Sequence, residues 1–210
     1  MRNYTHLRLN NALNNKIQSH KLTKWLHKQN KRFYDYQILS YKAVCEKYDL
    51  LINAPTGTGK TLAALIAPII NFESDIETGK FSTIYISPLK SLIYDIKRNL
   101  QAPLQKTKLN IIVETRTGDT SSYNKQKQLK VPPNFLITTP ESFALLMSYQ
   151  NVEKFFLNIK YIIIDEIHNL IHTKRGDLLS LNLTRLSTFC PEAVKIALSA
   201  TIGDTKKTLD

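Results

Sequence analysis

The chain has 210 residues, 42% hydrophobic and 22% charged, which is enough apolar material for one full core with at most an appendage. No apolar run approaches the ~18 residues of a membrane span, and the start MRNYTHLRLNNALNN lacks the apolar stretch of a secretory leader. Cys45 and Cys190 form no CxxC and the five histidines no HExxH, which argues against disulfide or zinc scaffolding and fits a reducing cytoplasm, while a net charge of +12 favours a polyanionic partner.

The basic excess is concentrated at the front. Arg2, Arg8, Lys16, Lys21, Lys24, Lys28, Lys31 and Arg32 all precede the first acidic residue, Asp35. Leu13/Ile17 and Leu22/Trp25/Leu26 are spaced for one helical face, predicting one or two helices across about residues 10–28. Residues 1–31 therefore read as a basic, helical extension, either a solvated face or a contact for an anion. Residues 32–210 read as the main domain, opening with a helix from Asp35 to Lys47.

Strands are predicted at Leu50–Ala54, Thr83–Ser87, Ile111–Thr115, Phe135–Thr138, Tyr161–Asp165 and Val194–Ser199. Each is short, Ile/Val-rich and apolar on both faces, as a covered parallel sheet requires. Helices are predicted between them at Lys60–Ile70, Leu89–Leu100, Ser121–Leu129, Glu141–Gln150 and Asp177–Phe189. Pro88 and Pro140 are placed at helix starts. The alternation predicts an α/β domain with a mostly parallel sheet flanked by helices.

The first strand runs into Ala54-Pro55-Thr56-Gly57-Thr58-Gly59-Lys60-Thr61, an A-x-x-G-x-G-K-T phosphate-loop pattern between a strand and a helix. Glycines let the backbone curl its N–H groups around a phosphate, and the following helix aims its positive end the same way. Lys60 is expected to reach the β- and γ-phosphates and the Thr61 hydroxyl to take a position on Mg²⁺. The strand KYIII ends in Asp165 and Glu166. Asp165 is the candidate second metal-side group, and Glu166 the candidate base for the attacking water. Together these residues predict an NTP site.

Six segments then fall in a telling order: APTGTGKT (54–61), ISPLKSL (86–92), RTGD (116–119), TTPES (138–142), DEIH (165–168) and SAT (199–201). From about Phe33 to Asp204 the chain resembles the first RecA-like domain of superfamily 2 DEAD/DEAH-box helicases, most of all the large helicase-related (Lhr-type) enzymes. The resemblance implies a RecA-like P-loop NTPase fold, with ATP and Mg²⁺ as cofactors and single-stranded nucleic acid, DNA favoured, as partner. It puts Gln37 where an amide reads the adenine edge, with Arg32, Phe33 and Tyr34 close enough to line the base. His168, Ser199 and Thr201 fall where the family couples nucleotide to domain closure. Strand contacts are expected from Pro88, Leu89 and Lys90, from the turn of Arg116, Thr117, Gly118 and Asp119, and from Thr139, Pro140, Glu141 and Ser142. Each of these loops can equally be an ordinary helix cap or turn. Lys174-Arg175-Gly176 reads as a charged contact or a solvated loop.

The sequence carries no second set of such motifs after SAT. A second RecA-like domain, in cis or in trans, is the expected partner that completes the site with an arginine finger. Turnover by this chain alone is expected to be slow. An RNA helicase domain, or a non-catalytic nucleic-acid-binding fragment of a split helicase, remain the alternatives.

Overall fold

Six strands, β1 (Leu50–Asn53), β2 (Thr83–Ile86), β3 (Val113–Arg116), β4 (Phe135–Thr138), β5 (Tyr161–Ile164) and β6 (Val194–Ser199), pair in parallel in the order β1-β6-β5-β2-β4-β3. This is the arrangement in the computed structural model, which describes residues 11–72 and 81–200. Parallel neighbours need crossovers, and helices supply them on both faces. Alternation along each strand feeds two cores. Tyr85, Ile137, Ile163 and Ile196 point to one, and Ile84, Leu136, Ile162 and Ile164 to the other.

The first core is covered by α1 (Asn11–Ser19), α2 (Lys21–Lys28), α3 (Asp35–Cys45), α4 (Lys60–Phe72) and α5 (Lys90–Lys106). The second is covered by α7 (Pro140–Met147), α8 (Val152–Phe156) and α9 (Lys174–Phe189), while α6 (Ser122–Lys130) lies between β3 and β4 in the chain. Helices α1 and α2 bury Ile17, Leu22 and Leu26 in the first core and leave Lys21, Lys24 and Lys28 exposed. The described part of the basic extension is thus packed on the sheet domain.

Several boundaries differ from the sequence expectation. Strand β3 begins two residues late, because Leu109 and Ile111 fill the first core before the chain joins the ladder. Helix α5 runs through Pro103 to Lys106, and Pro88 lies before its cap, Leu89, instead of at the first helical position. Helix α7 stops at Met147, and after the left-handed Asn151 (φ 54°) the short α8 follows. Helix α9 starts at Lys174, so the expected loop Lys174-Arg175-Gly176 is its first turn. Thr173 caps it by accepting from the Gly176 N–H at 3.1 Å.

In a parallel sheet all strand C-termini share one edge, the edge where ligands bind. The phosphate loop after β1, the carboxylates after β5 and Ser199 at the end of β6 therefore converge on one side of the sheet. The loops after β2, β4 and β3 continue the row.

Candidate active site

The loop after β1 turns on Gly57 (φ 79°) and Gly59 (φ 92°), a backbone region that L side chains rarely adopt. Thr58 closes the turn with its hydroxyl on Pro55 O at 2.7 Å. Helix α3 braces it from one side, with Tyr36 Oη donating to Thr58 O at 2.6 Å and Gln37 Nε2 to Gly59 O at 3.0 Å. Lys60, 7% exposed, donates from Nζ to Ala54 O at 2.5 Å. The ammonium is thereby held across the mouth of the loop.

Across β6, Asp165 and Glu166 line the same cavity of about 580 Å³ as Thr56, Gly57, Lys60 and Thr61. Asp165 is buried, and its Oδ1 accepts from the Glu166 N–H at 2.9 Å. Burial pushes its carboxyl above the ordinary value and the Glu166 charge adds to this, against the opposing pull of Tyr85 and Lys60. Glu166 takes a left-handed backbone (φ 47°) that turns the chain off the strand into the 3-10 turn Ile167–Asn169. His168 Nδ1 lies 3.3 Å from Glu166 Oε2 and 3.1 Å from Ser199 Oγ, which links the carboxylate pair to the end of β6. Thr201 lies outside the described residues.

Tyr85, in the middle of β2, has no motif to announce it. It is 1% exposed, and its hydroxyl neighbours Asp165 and Thr61 without reaching hydrogen-bonding geometry with either. Burial pushes its phenol well up, with the Asp165 charge second, so it stays a neutral donor. An orphaned buried hydroxyl beside a threonine hydroxyl and two carboxylates is an all-oxygen donor set, suited to a hard cation such as Mg²⁺. Among the described residues no three acidic, histidine or cysteine side chains form a metal-holding group. A cation here would take the rest of its shell from a ligand's phosphates or from water, as Mg²⁺ does with nucleotides.

The expected base-reading residues divide. Gln37 is 1% exposed, with Oε1 accepting from Tyr34 N at 2.9 Å and Nε2 on Gly59 O. Both amide ends are engaged, so pairing with a base requires sharing or releasing a bond. Phe33 is buried in the first core, whereas Tyr34 is 59% exposed and stacks on Tyr36 at 6.1 Å between centroids. Of Phe33 and Tyr34, only Tyr34 is open to a base.

The strand-contact candidates divide similarly. Thr117 and Ser142 are buried, their N–H groups going to Thr120 Oγ1 (2.9 Å) and Thr139 Oγ1 (3.2 Å). Thr139 and Pro140 are buried as the cap and first residue of α7, and Pro88 is buried as well. Arg116, the first residue of the 116–119 turn, faces inward. It is 2% exposed, bonded to Lys125 O, Gln128 Oε1 and Tyr149 Oη. Leu89, Lys90, Gly118, Asp119 and Glu141 are the exposed members. Arg175, in the segment that reads as a charged contact or a solvated loop, sends its guanidinium to both Glu141 and Pro88 O.

A protein-family profile described as DEAD/DEAH box helicase matches residues 34–209. The chain is 43% identical over 169 residues to ATP-dependent helicase Lhr-Core protein 2 of Thermococcus barophilus, covering 73% of this chain and 20% of that one. It is 33% identical to the Mycobacterium smegmatis helicase Lhr solved with ssDNA and AMP-PNP, with a TM-score of 0.74 over 86% of this chain and 24% of that one. Helicase MrfA solved with DNA and AMPPNP is 27% identical, with a TM-score of 0.78 over 89% of this chain and 27% of its own. The chain spans about a fifth to a quarter of the length of these relatives. Among the described residues no helix is long and apolar enough to cross a membrane.

Proposed function

Because the chain belongs to the DEAD/DEAH box helicase family, we propose that it is the ATP-gripping half of the motor of an Lhr-like helicase or translocase acting on single-stranded DNA. The observation that carries this reading is the meeting of Lys60, Thr61, Asp165 and Glu166 around one cavity, joined to β6 through His168. The choice of DNA is supported by two similar proteins, one solved with ssDNA and one with DNA, each with an ATP analogue.

In this reading Lys60 exchanges Ala54 O for the β- and γ-phosphate oxygens of ATP, a stronger, charge-assisted acceptor. The Thr61 hydroxyl and the Asp165 carboxylate hold Mg²⁺, which supplies charge neutralisation at the phosphates when bound. Glu166 orients and takes the proton of the attacking water. His168 stands between Glu166 and Ser199, so a change at the carboxylate is felt at the end of β6. Tyr34 covers the base, and Gln37 reads its edge by sharing the bonds that now tie it to the loop. Leu89, Lys90 and Gly118, exposed beyond the ends of β2 and β3, meet backbone phosphates, which suits a motor that must pass over any sequence.

A second RecA-like domain closes over this edge and brings the arginine finger, a group worth about 10³–10⁵ in turnover. The chain alone is therefore expected to bind Mg·ATP and single strands but to release ADP slowly, with no unwinding. A linked ADP-release assay with and without single-stranded DNA checks this. Robust strand-stimulated turnover by the isolated chain would contradict the half-site reading.

A further inference from the structure

Two acidic side chains stand where a polyanion is expected to approach. Asp119 exposes its carboxylate on the turn after β3, and Glu141 exposes its own in the first turn of α7. Each holds a cation from another segment. Lys90 Nζ, at the start of α5, lies 2.8 and 3.0 Å from the two Asp119 oxygens. Arg175, at the start of α9, engages Glu141 side-on, Nε to Oε1 at 2.5 Å and a terminal nitrogen to Oε2 at 3.3 Å. That same terminal nitrogen donates to Pro88 O at 2.8 Å. The two pairs therefore bridge the loops after β2, β3 and β4 to one another.

We propose that Asp119 and Glu141 are built-in counter-charges of the strand face, holding Lys90 and Arg175 in the places of phosphate groups that an incoming strand then supplies. This rests on the reading that the face binds nucleic acid. The chemistry favours exchange, since a carboxylate and a phosphate present the same paired acceptor oxygens to a guanidinium or ammonium. Exposed ion pairs in water are weak, so a strand phosphate can displace them. Lys90 and Glu141 stay charged for the exchange. The hydrogen bond from Lys90 to Asp119 pushes the Lys90 ammonium up, and for Glu141 the upward push of burial is outweighed by its bonds from Arg175 and its own backbone, which hold it low.

The test uses this chain with Asp119→Asn, Glu141→Gln and the pair combined, binding a labelled single-stranded oligonucleotide across a salt series. In the parent each cation that turns to a phosphate leaves a bare carboxylate beside the strand, which cancels its charge there, and the amide leaves none, so each substitution is expected to tighten low-salt binding several-fold. It should also steepen the log K against log salt slope by about 0.7. The gain from Asp119→Asn must vanish when Lys90 is alanine, and that from Glu141→Gln when Arg175 is alanine. Asp49→Asn, which frees Lys195 at the opposite edge of the sheet, controls for net charge and should leave the slope unchanged. Equal slopes in all variants, or gains that survive removal of the paired cation, would overturn the proposal while leaving strand binding intact. Failure of the unsubstituted chain to bind strands at low salt would instead overturn the strand-binding reading itself, and this proposal with it.

Discussion

Replacing Lys60 with alanine is expected to weaken ATP binding by about 10- to 150-fold, the loss of one charge-assisted hydrogen bond at about 1.5–3 kcal/mol. The side chain is 7% exposed and its ammonium bonds Ala54 O within its own loop, so a phosphate can take it up without another element being released. Removing it deletes a desolvated charge and leaves one loop carbonyl open to the cavity, so the fold should survive. The loss should follow the phosphates. Affinity for the triphosphate should fall most, and for adenosine least, because Tyr34 and Gln37 are on α3 and its cap. Calorimetric titration of both ligands into both proteins checks this. Unchanged triphosphate affinity would mean that Lys60 does not face the ligand.

Gly176→Ala is expected to destabilise the fold, although propensity alone predicts the opposite. Alanine is favoured over glycine inside a helix by about 1 kcal/mol, and less in a first turn. Here a Cβ would lie 2.1 Å from Leu170 O and 2.9 Å from Leu170 C, both backbone atoms of the turn that packs Leu170 in the second core. No flexible tip can yield, so α9 or the turn must move. Overpacking of this kind costs about 1–3 kcal/mol, and a domain of this size loses about 2–4 °C of melting temperature per kcal/mol. The helix start would carry Arg175 with it, away from Glu141 and Pro88 O. Gly118→Ala is the contrast, since its Cβ would meet only the Lys90 ammonium at 3.7 Å, and its melting temperature should be nearly unchanged. Thermal unfolding of both variants decides the matter. A Gly176→Ala protein as stable as the parent would refute the steric account.

The strands and the phosphate loop were legible because their signals are local. Ile/Val runs bounded by turn residues give the six strands, and GTGKT after a strand gives the loop. The missed features depend on distance or on space. Leu109 and Ile111 look like strand residues, but they serve the core before the ladder starts. Gly176 looks like a break, yet it lies in a helix because only a hydrogen fits beneath Leu170 O. Arg116 opens a turn expected to clasp a phosphate, and nothing local shows that its guanidinium is buried on Gln128 and Tyr149. Tyr85 is one more apolar-run residue in sequence, and only the packing of β2 beside β5 brings its hydroxyl to Asp165. The Lys90–Asp119 and Arg175–Glu141 pairs join residues 29 and 34 positions apart, a separation that no periodicity reports.

In the proposed motor, Thr61 and Asp165 would hold the Mg²⁺ of an ATP seated on the loop that ends in Lys60. The most direct measurement is the Mg²⁺ dependence of ATP-analogue affinity in the unsubstituted chain and in Asp165→Asn, with thermal unfolding of both without ligand. In the unsubstituted protein Mg²⁺ should tighten binding by about tenfold or more. In Asp165→Asn this gain should disappear while the melting temperature rises. Burial holds the Asp165 carboxyl above its unfolded value, so its ionised form is penalised by folding at neutral pH, and the amide removes that penalty. Retention of the full Mg²⁺ effect in Asp165→Asn would mean that Asp165 does not hold the ion.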